Sequence, residues 1–346
     1  MEHQSVVKSR YYWAILLFAV AGMVLLFMKC KSVKQFKSSG VVWTTEYHIT
    51  YTAPSDMNDS IQAIFNAIDK SASVYNKQSL VTALNNNTTD VVDAYIAKLY
   101  NTSVDINKAS DGAYDPTVMP LVNAWGFGYK SGKLPDKAQL DSILVFVGLN
   151  KTRLDGNKLI KDDKRVQFDF SSIAKGMACD EIAEMLKRSG ATSAMVEIGG
   201  EVACFGLNEQ GTGWNISIDM PIEQAEGEAV QHASAAVVTI DNGGGVATSG
   251  SYRKWKESGG KKRSHIIDPK TGSADESNLL SVTIIAPNCM SADAWATACM
   301  AMGVKRTQLL MQNNTSLGVM TIHVDDGGNL VVWSNKAFAD KVKLEN

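Results

Sequence analysis

The segment SADAWATACMAMG, Ser291–Gly303, places a carboxylate and a hydroxyl four residues apart in an otherwise apolar stretch. Residues four apart lie on the same face of a helix, so Asp293 and Thr297 would point the same way. Buried polar groups need partners, and Mg²⁺ prefers oxygen ligands and completes its shell with substrate phosphates and water. The structural alternative is that Ser291 caps the helix, Asp293 lies in its first turn and Thr297 bonds to its own backbone.

A second candidate is the segment 169–176, DFSSIAKG, where we expect a helix to begin with Ser171 or Ser172 as its cap. The first turn of a helix offers N–H groups and a positive dipole end, which favour phosphate, and Lys175 would neutralise further charge. The P-loop pattern GxxxxGK[ST] is absent. The structural alternative is a solvated lysine on an ordinary helix.

A third candidate is the turn-rich segment 112–117, GAYDPT. In a ligand loop, Tyr114 would offer a ring for stacking and Asp115 an acceptor. The structural alternative is a turn in which Pro116 holds Asp115 in an extended conformation.

A fourth candidate is His265 in SHIIDPKTG, which follows the glycine-rich segment 243–255. Glycines let the backbone approach a ligand closely. Near a phosphate and a hydroxyl nucleophile, a histidine has the pKa range of a general base. A structural histidine is the alternative.

Hydrophobic periodicity predicts the elements that would position these residues. One strand is expected over Val41–Ala53. Helices are expected over 60–76, 91–110 and from the 169–176 segment to Gly190, and the C-terminal half reads mostly as strands that end in a hairpin around the turn DDGG. Few strands alternate with helices. The sequence therefore predicts an α+β fold of largely antiparallel sheets with packed helices.

Composition excludes several classes of protein. The chain has 346 residues, 45% hydrophobic and 20% charged, with a formal net charge of −2, so it has no basic excess that would suggest nucleic-acid binding. Five cysteines form no CxxC pair and no Cys/His metal spacing, which argues against zinc. Cys179 and Cys299 fall in helical apolar patterns and are expected to be buried thiols.

The N-terminus carries an uncharged apolar run, Tyr11–Met28, which is long enough to span a membrane. We expect a transmembrane anchor, with a signal peptide as the alternative. The predicted organisation is a tail (1–10), the anchor (11–28), a basic linker (29–40) and one domain (41–346). By the positive-inside rule alone, the lysines of the linker would place the domain in the cytoplasm.

Taken together, the motifs resemble the ApbE family of FAD:protein FMN transferases, over about Val41 to Leu344. The motifs that carry the resemblance, in order, are DGAYDPTVMPLVNAWGFG, DFSSIAKGMACDEIAEML, VEIGGEV, ATSGSYRKW, SHIIDPKTG and ADAWATACMAMG. The resemblance implies an ApbE, T-fold-like architecture and Mg²⁺-dependent transfer of FMN from FAD to a threonine or serine of a partner protein, with release of AMP.

The resemblance also implies partners and a location. The acceptors would be membrane subunits of a Na⁺-translocating NADH:quinone reductase or an Rnf-type complex. The protein would be anchored in the bacterial inner membrane with its catalytic domain facing the periplasm, against the local charge count. Two alternatives remain: an Mg²⁺-dependent FAD pyrophosphatase, and a membrane-tethered flavin-binding protein without catalysis.

Position by position, the resemblance assigns the site residues. His265 matches the histidine that assists proton transfer from the acceptor hydroxyl. Metal ligands are Ser172 (through its carbonyl), Asp293 and Thr297. Residues that contact FAD are Trp43, Tyr75, Ala113, Tyr114, Asp115, Asp169, Lys175 and Ile267. The chain departs from the family at Trp43–Thr45, where Met-Gly-Thr is usual, and at Ala296, where some members have a second acidic residue.

Overall fold

Six strands of the C-terminal half join two N-terminal strands in one sheet. The computed structural model describes residues 33–128, 134–221, 233–251, 255–258, 261–274 and 278–342, without the side chains of 255–258 and 261–263. The strands of these residues are β1 (Lys34–Val42), β2 (Thr45–Ala53), β3 (Thr152–Asp155), β4 (Lys158–Lys161), β5 (Ser193–Ile198), β6 (Glu201–Phe205), β7 (Trp214–Asp219), β8 (Ser234–Ile240), β9 (Gly244–Gly250), β10 (Trp255–Ser258), β11 (Lys261–Ser264), β12 (Leu279–Ala286), β13 (Gly318–Val324) and β14 (Leu330–Ser334).

The described residues also form eight α-helices. They are α1 (Asn58–Ala72), α2 (Leu80–Asn85), α3 (Ala94–Ala109), α4 (Met119–Ala124), α5 (Lys137–Leu144), α6 (Ala174–Arg188), α7 (Cys289–Met311) and α8 (Lys336–Ala339). Helix α7 is interrupted at Gly303, whose φ of 71° is not helical.

The central sheet has eight strands in the order β1-β2-β5-β6-β9-β12-β13-β14, and every neighbouring pair is antiparallel. The pairs β3-β4, β7-β8 and β10-β11 form separate two-stranded sheets. The predicted C-terminal hairpin is confirmed as β13-β14. The predicted α+β class with antiparallel sheets is therefore confirmed.

The two faces of the sheet carry different layers because successive side chains in a strand point to opposite faces. Helices α6 and α7 pack on one face, where Ala247 of β9 joins the main core. The β7-β8 hairpin packs on the other face, where Ile216 and Ile218 meet Val202 of β6 and Val246 of β9.

Two glycines allow α7 to begin against its neighbours. A Cβ at Gly245 of β9 would lie 2.2 Å from the backbone nitrogen of Cys289, and a Cβ at Gly176 of α6 would lie 2.5 Å from the Cys289 carbonyl oxygen. Real Cβ atoms do not approach backbone atoms this closely. Helix α7 can therefore begin at this position only because both residues are glycine.

Replacing Gly245 with alanine is expected to lower the free energy of unfolding by about 1–3 kcal/mol, because the start of α7 must move to admit the methyl group. Urea unfolding followed by circular dichroism measures the change. Gly211→Ala is the control at a glycine with open space around its Cβ position, although its φ of 72° adds a small backbone cost. Equal losses in the two variants would contradict the packing argument.

Several local predictions are wrong. The single strand over 41–53 is a hairpin that turns at Trp43 and Thr44, both with the positive φ of a tight turn. Residues 34–40 of the predicted linker belong to β1, so the folded domain begins before residue 41.

The helix caps also differ from prediction. Helix α6 has no side-chain cap, so neither Ser171 nor Ser172 fills that role. Helix α7 begins at Cys289 and is capped by Asn288, whose side chain accepts from the backbone of Ser291 at 2.8 Å. The structural alternative that Ser291 caps α7 is therefore wrong.

The predicted anchor, Tyr11–Met28, lies outside the described residues. Within the described ranges, no helix has the length and hydrophobicity to cross a membrane. Cys179 and Cys299 are buried free thiols, as predicted.

Candidate functional site

The carboxylate of Asp293 joins helix α7 to the first turn of α6. It is only 4% exposed, and its Oδ2 accepts the backbone N–H of Gly176 at 3.0 Å. Thr297, one turn further along α7, lies with its Oγ1 3.3 Å from the Oγ of Ser249 on β9. The predicted pair is therefore enclosed between α6 and β9.

Lys175 and Glu201 form an ion pair beside Asp293. Glu201, the first residue of β6, is 4% exposed, and the ammonium of Lys175 donates to its Oε2. Burial raises the pKa of Glu201 above its usual range; Lys175 opposes the rise, and the charge of Asp293 adds to it. Two buried carboxylates thus share one lysine.

Lys175, Glu201 and Asp293 form one charged cluster, and these charges also shift the pKa values of Asp293 and Lys175. Burial raises the pKa of Asp293, although Lys175 and the Gly176 N–H act against the rise. Burial disfavours the charged form of Lys175, but the charges of Glu201 and Asp293 together outweigh it and raise the lysine pKa. Sequence reasoning missed Glu201: it stands in the quoted motif VEIGGEV, but nothing in that motif shows that it pairs with a lysine.

The donor set suits a divalent cation that needs few protein ligands. No group of three or more His, Cys, Asp or Glu side chains among the described residues could hold a metal. Asp293 and Thr297 supply oxygen donors, and the paired carboxylates leave an excess of negative charge. Proteins usually bind Mg²⁺ with one or two carboxylates, and water and phosphate oxygens supply its other ligands. The residues present therefore fit Mg²⁺.

The start of α6 offers fewer free N–H groups than the sequence predicts. The backbone N–H groups already donated within the chain are those of Ser171, Ile173, Ala174 and Gly176. A phosphate at this helix end would therefore depend mainly on the side chain of Lys175 and on a bound cation.

Tyr114 is part of the core rather than an exposed stacking surface. It is 1% exposed, and its hydroxyl accepts from Ser172 Oγ at 3.2 Å, next to α6. Burial raises the pKa of Tyr114, and Asp293 and Asp169 add smaller electrostatic effects. The prediction of a ring available for stacking is wrong. The residue instead supports the segment that carries Ser172.

Asp115 is bonded to its own loop. Its Oδ1 accepts from the N–H and hydroxyl of Thr117 at 2.8 and 2.6 Å, and its Oδ2 accepts from the N–H of Leu149 at 2.9 Å. Burial raises its pKa, and these hydrogen bonds oppose the rise. Asp115 therefore fixes the loop, with Ala113 buried beside it.

Comparison with known proteins decides the family. A profile described as the ApbE family matches residues 43–322 of the chain. The chain belongs to the ApbE family.

Its relatives share most of its length. The FAD:protein FMN transferase of Haemophilus influenzae is 36% identical over 340 residues, which cover 93% of this chain and 96% of that protein. The enzyme of the same name from Vibrio cholerae is 33% identical, covering 90% and 94%. These relatives are enzymes, and this ApbE family member is an enzyme too.

Solved structures confirm the fold. The flavin transferase ApbE from Vibrio cholerae aligns with a TM-score of 0.78 at 30% identity, over 89% of this chain and 99% of that one. The apo flavinyl transferase ApbE of Pseudomonas stutzeri aligns with a TM-score of 0.79 at 29% identity, over 89% and 97%.

The remaining predicted residues of this ApbE protein lie on separate segments. Trp43 lies in the β1-β2 turn, with its ring edge-on to Phe65 at 5.6 Å. Tyr75 is 69% exposed, and partial desolvation followed by the charge of Asp169 raises its pKa. Asp169 itself accepts from the N–H of Ser171 at 2.9 Å, just before α6.

The segment after β11 carries the last two predicted site residues, His265 and Ile267. Ile267 is buried in a small apolar cluster with Trp125 and Leu140. His265 is exposed, and its ring meets Phe127 edge-on at 6.5 Å. The structure thus joins Asp169, Ser172, Lys175, Asp293 and Thr297 through α6, α7 and the segment before α6. His265 and Ile267 lie on the separate segment after β11, beside Phe127 and Trp125.

Asp180 is a positioning residue that sequence reasoning missed. From α6, its two carboxylate oxygens accept the N–H groups of Cys289 at 2.9 Å and Met290 at 2.8 Å. Burial raises its pKa to about 6, and the two hydrogen bonds oppose the rise. It holds the start of α7, and therefore Asp293, against α6.

The raised pKa of Asp180 predicts a pH dependence of folding. The folded state holds the proton more tightly than the unfolded chain, whose pKa is near 3.8. The free energy of unfolding should therefore fall by up to about 3 kcal/mol as the pH rises from about 4 through 6. Urea unfolding from pH 4 to 8 should show a slope that is smaller in Asp180→Asn than in the wild type by this amount, while the slope due to the raised pKa values of Asp115, Glu201 and Asp293 remains in both proteins. A difference between the two proteins that is constant with pH would contradict the assignment.

Proposed function

We propose that this ApbE family member transfers FMN from FAD to a threonine or serine side chain of a partner protein, releasing AMP, in an Mg²⁺-dependent reaction. The observation that carries the proposal is the cluster of the half-buried Lys175 with the buried carboxylates of Glu201 and Asp293, where α6, α7 and β6 meet. Flavin transfer itself is supported by relatives named FAD:protein FMN transferases, which this chain matches over nearly their whole length.

The cluster suits binding of a pyrophosphate. Lys175 is held in place by Glu201 and supplies a fixed positive charge. In phosphoryl transfer the protein's task is mainly to position the groups and to neutralise charge on the phosphate oxygens. A cation held by Asp293, Thr297 and the carbonyl of Ser172 would neutralise the pyrophosphate of FAD.

His265 is proposed to accept the proton of the acceptor hydroxyl. The hydroxyl oxygen forms a bond to the phosphorus of the FMN half, the bond from that phosphorus to the AMP phosphate oxygen breaks, and the hydroxyl proton passes to the imidazole. The exposed position of His265 leaves it open to a partner protein. The FAD contacts at Trp43, Tyr75, Ala113, Asp169 and Ile267 remain part of the proposal.

The partner and the location follow from the same proposal. The acceptor is a membrane subunit of a Na⁺-translocating NADH:quinone reductase or an Rnf-type complex. Residues 11–28 would anchor the protein in the bacterial inner membrane, with the catalytic domain in the periplasm.

The test uses the full-length protein with FAD, MgCl₂ and the recombinant soluble domain of such a subunit. Intact mass spectrometry should show one added FMN on the acceptor, and none when EDTA replaces MgCl₂. His265→Ala should bind FAD with unchanged affinity but form little adduct. FAD binding by the wild type without an adduct or AMP would support the non-catalytic alternative instead.

A further inference from the structure

Among the described residues, one of the two edges of the β7-β8 hairpin has no partner strand. The outer edge of β8 is covered, since the N–H of Thr239 donates to the carbonyl of Lys341 at 2.9 Å and Val238 bridges to Val342. In the part of the chain that the structure describes, β7 pairs with β8 alone. Exposed strand edges invite pairing with another chain, and proteins usually block them.

The register shows which backbone groups face the open edge. Asn215 lies opposite Thr239, whose N–H points away from β7 toward Lys341. In an antiparallel ladder such a pair does not exchange hydrogen bonds, so the N–H and C=O of Asn215 point outward. Ser217, two residues further on and before the bulge at Ile218/Asp219, presents the same groups in the same direction.

An open groove runs beside this edge. One wall is the edge of β7 from Ile216 to Asp219, and the other is formed by the turn Gly199–Gly200 and by Val246, Thr248 and Gly250. The position of a Cβ at Gly200 meets nothing within 4 Å. The groove therefore has a row of outward-facing backbone groups on one wall and an open position at Gly200 on the other.

The groove ends at the same end of the sheet as the buried cluster. Gly200 directly precedes Glu201, and Gly250 directly follows Ser249, which contacts Thr297 on α7. The groove lies on the face of the sheet that carries the hairpin, while the cluster lies on the face that carries the helices. A segment running along β7 would thus arrive at the sheet end where the cluster lies.

We propose that an extended segment of the acceptor protein adds to the edge of β7 as a further strand, through the backbone of Asn215 and Ser217, and presents its hydroxyl residue beyond the end of the groove. This inference rests on the proposed transferase function. Strand addition recognises the main chain and leaves selection to the side chains that enter the groove. A partner whose modified segment is extended fits this surface.

The first test is Ser217→Pro, with Ser217→Ala as the matched control. Proline is tolerated at an edge strand where the N–H faces outward, but it removes that donor and its ring blocks a neighbouring strand. The KM for the acceptor should rise roughly tenfold in the proline variant, as expected for the loss of about 1–2 kcal/mol of hydrogen bonding, and stay near the wild-type value in the alanine variant. FAD binding should be the same in all three proteins.

The second test needs no variant of the enzyme. Amide hydrogen exchange of the wild type is compared with and without a saturating acceptor whose target hydroxyl residue is changed to alanine. The amides of Asn215 and Ser217 should become protected, while Ile216, which faces β8, should not change.

The outcomes separate the two proposals. A wild-type KM in Ser217→Pro, or no protection at Asn215 and Ser217, would overturn strand addition while FMN transfer by the wild type still stands. Absence of any FMN adduct with the wild type would overturn the proposed function and this inference with it.

Discussion

Replacing Lys175 with methionine is expected to abolish FMN transfer and to lower the free energy of unfolding by about 3–5 kcal/mol. The ammonium of Lys175 pairs with Glu201 and also acts on Asp293, so its removal leaves two buried carboxylates without a counter-charge. Breaking a buried pair by removing one partner is costly for this reason. Urea unfolding and the transfer assay measure the two effects separately.

The double variant Lys175→Met/Glu201→Gln is the control for this prediction. Removing the charge of Glu201 together with that of Lys175 takes away the unpaired partner, so most of the lost stability should return. Transfer should stay absent, because the positive charge that faces the pyrophosphate is still missing. If activity returned with stability, Lys175 would have only a structural role.

Replacing Asp293 with asparagine is expected to reduce Mg²⁺-dependent transfer by at least about 10²-fold, the effect of losing one charged group that stabilises a transition state. The side-chain oxygen of asparagine can still accept the N–H of Gly176, so α6 and α7 should keep their contact. The folded protein should not lose stability, since a buried negative charge that shares one lysine with Glu201 is removed. Thermal unfolding and the transfer assay give the two readouts.

Metal binding provides an independent readout for Asp293. In the presence of FAD, MgCl₂ should raise the melting temperature of the wild type and leave Asp293→Asn unchanged, because a ligand stabilises only the folded state that binds it. Asp180→Asn is the matched control, a buried carboxylate that also bonds to α7 but supplies no metal ligand. An equal Mg²⁺ shift in Asp293→Asn and the wild type would remove Asp293 from the metal site.

The sequence predicts the fold class and most strands because alternation and turn residues are local signals. It also places Asp293 and Thr297 on one side of a helix, since the helical repeat alone determines that geometry. The strand β1 was missed because KQFKSSGVV is polar, and only its pairing with β2 shows that it belongs to the sheet.

The parts of the site that could not be predicted depend on contacts between distant segments. Glu201 pairs with a lysine 26 residues away, and Asp180 accepts from backbone groups 109 and 110 residues along the chain. Asp293 accepts a hydrogen bond from the N–H of Gly176, 117 residues away in the sequence, so this N–H is no longer available to the expected phosphate site. No periodicity or motif encodes such pairings, because they exist only once the helices have packed.

The role of Asp115 shows a second limit. A carboxylate in a Gly/Pro turn is equally consistent with a ligand and with a structural bond, and the structure decides for bonds to Thr117 and Leu149. The sequence of a turn predicts a polar side chain at that position. The hydrogen-bond partner of this side chain depends on which loop packs against the turn in the folded protein.

The central claim is that a protein hydroxyl, rather than water, receives the FMN group. The most direct measurement counts AMP and flavinylated acceptor in the same reaction of the full-length protein with FAD, MgCl₂ and acceptor. We predict one AMP for each FMN found on the acceptor, with no excess of free FMN. AMP and free FMN in equal amounts without flavinylated acceptor would contradict the account and identify the protein as an FAD pyrophosphatase.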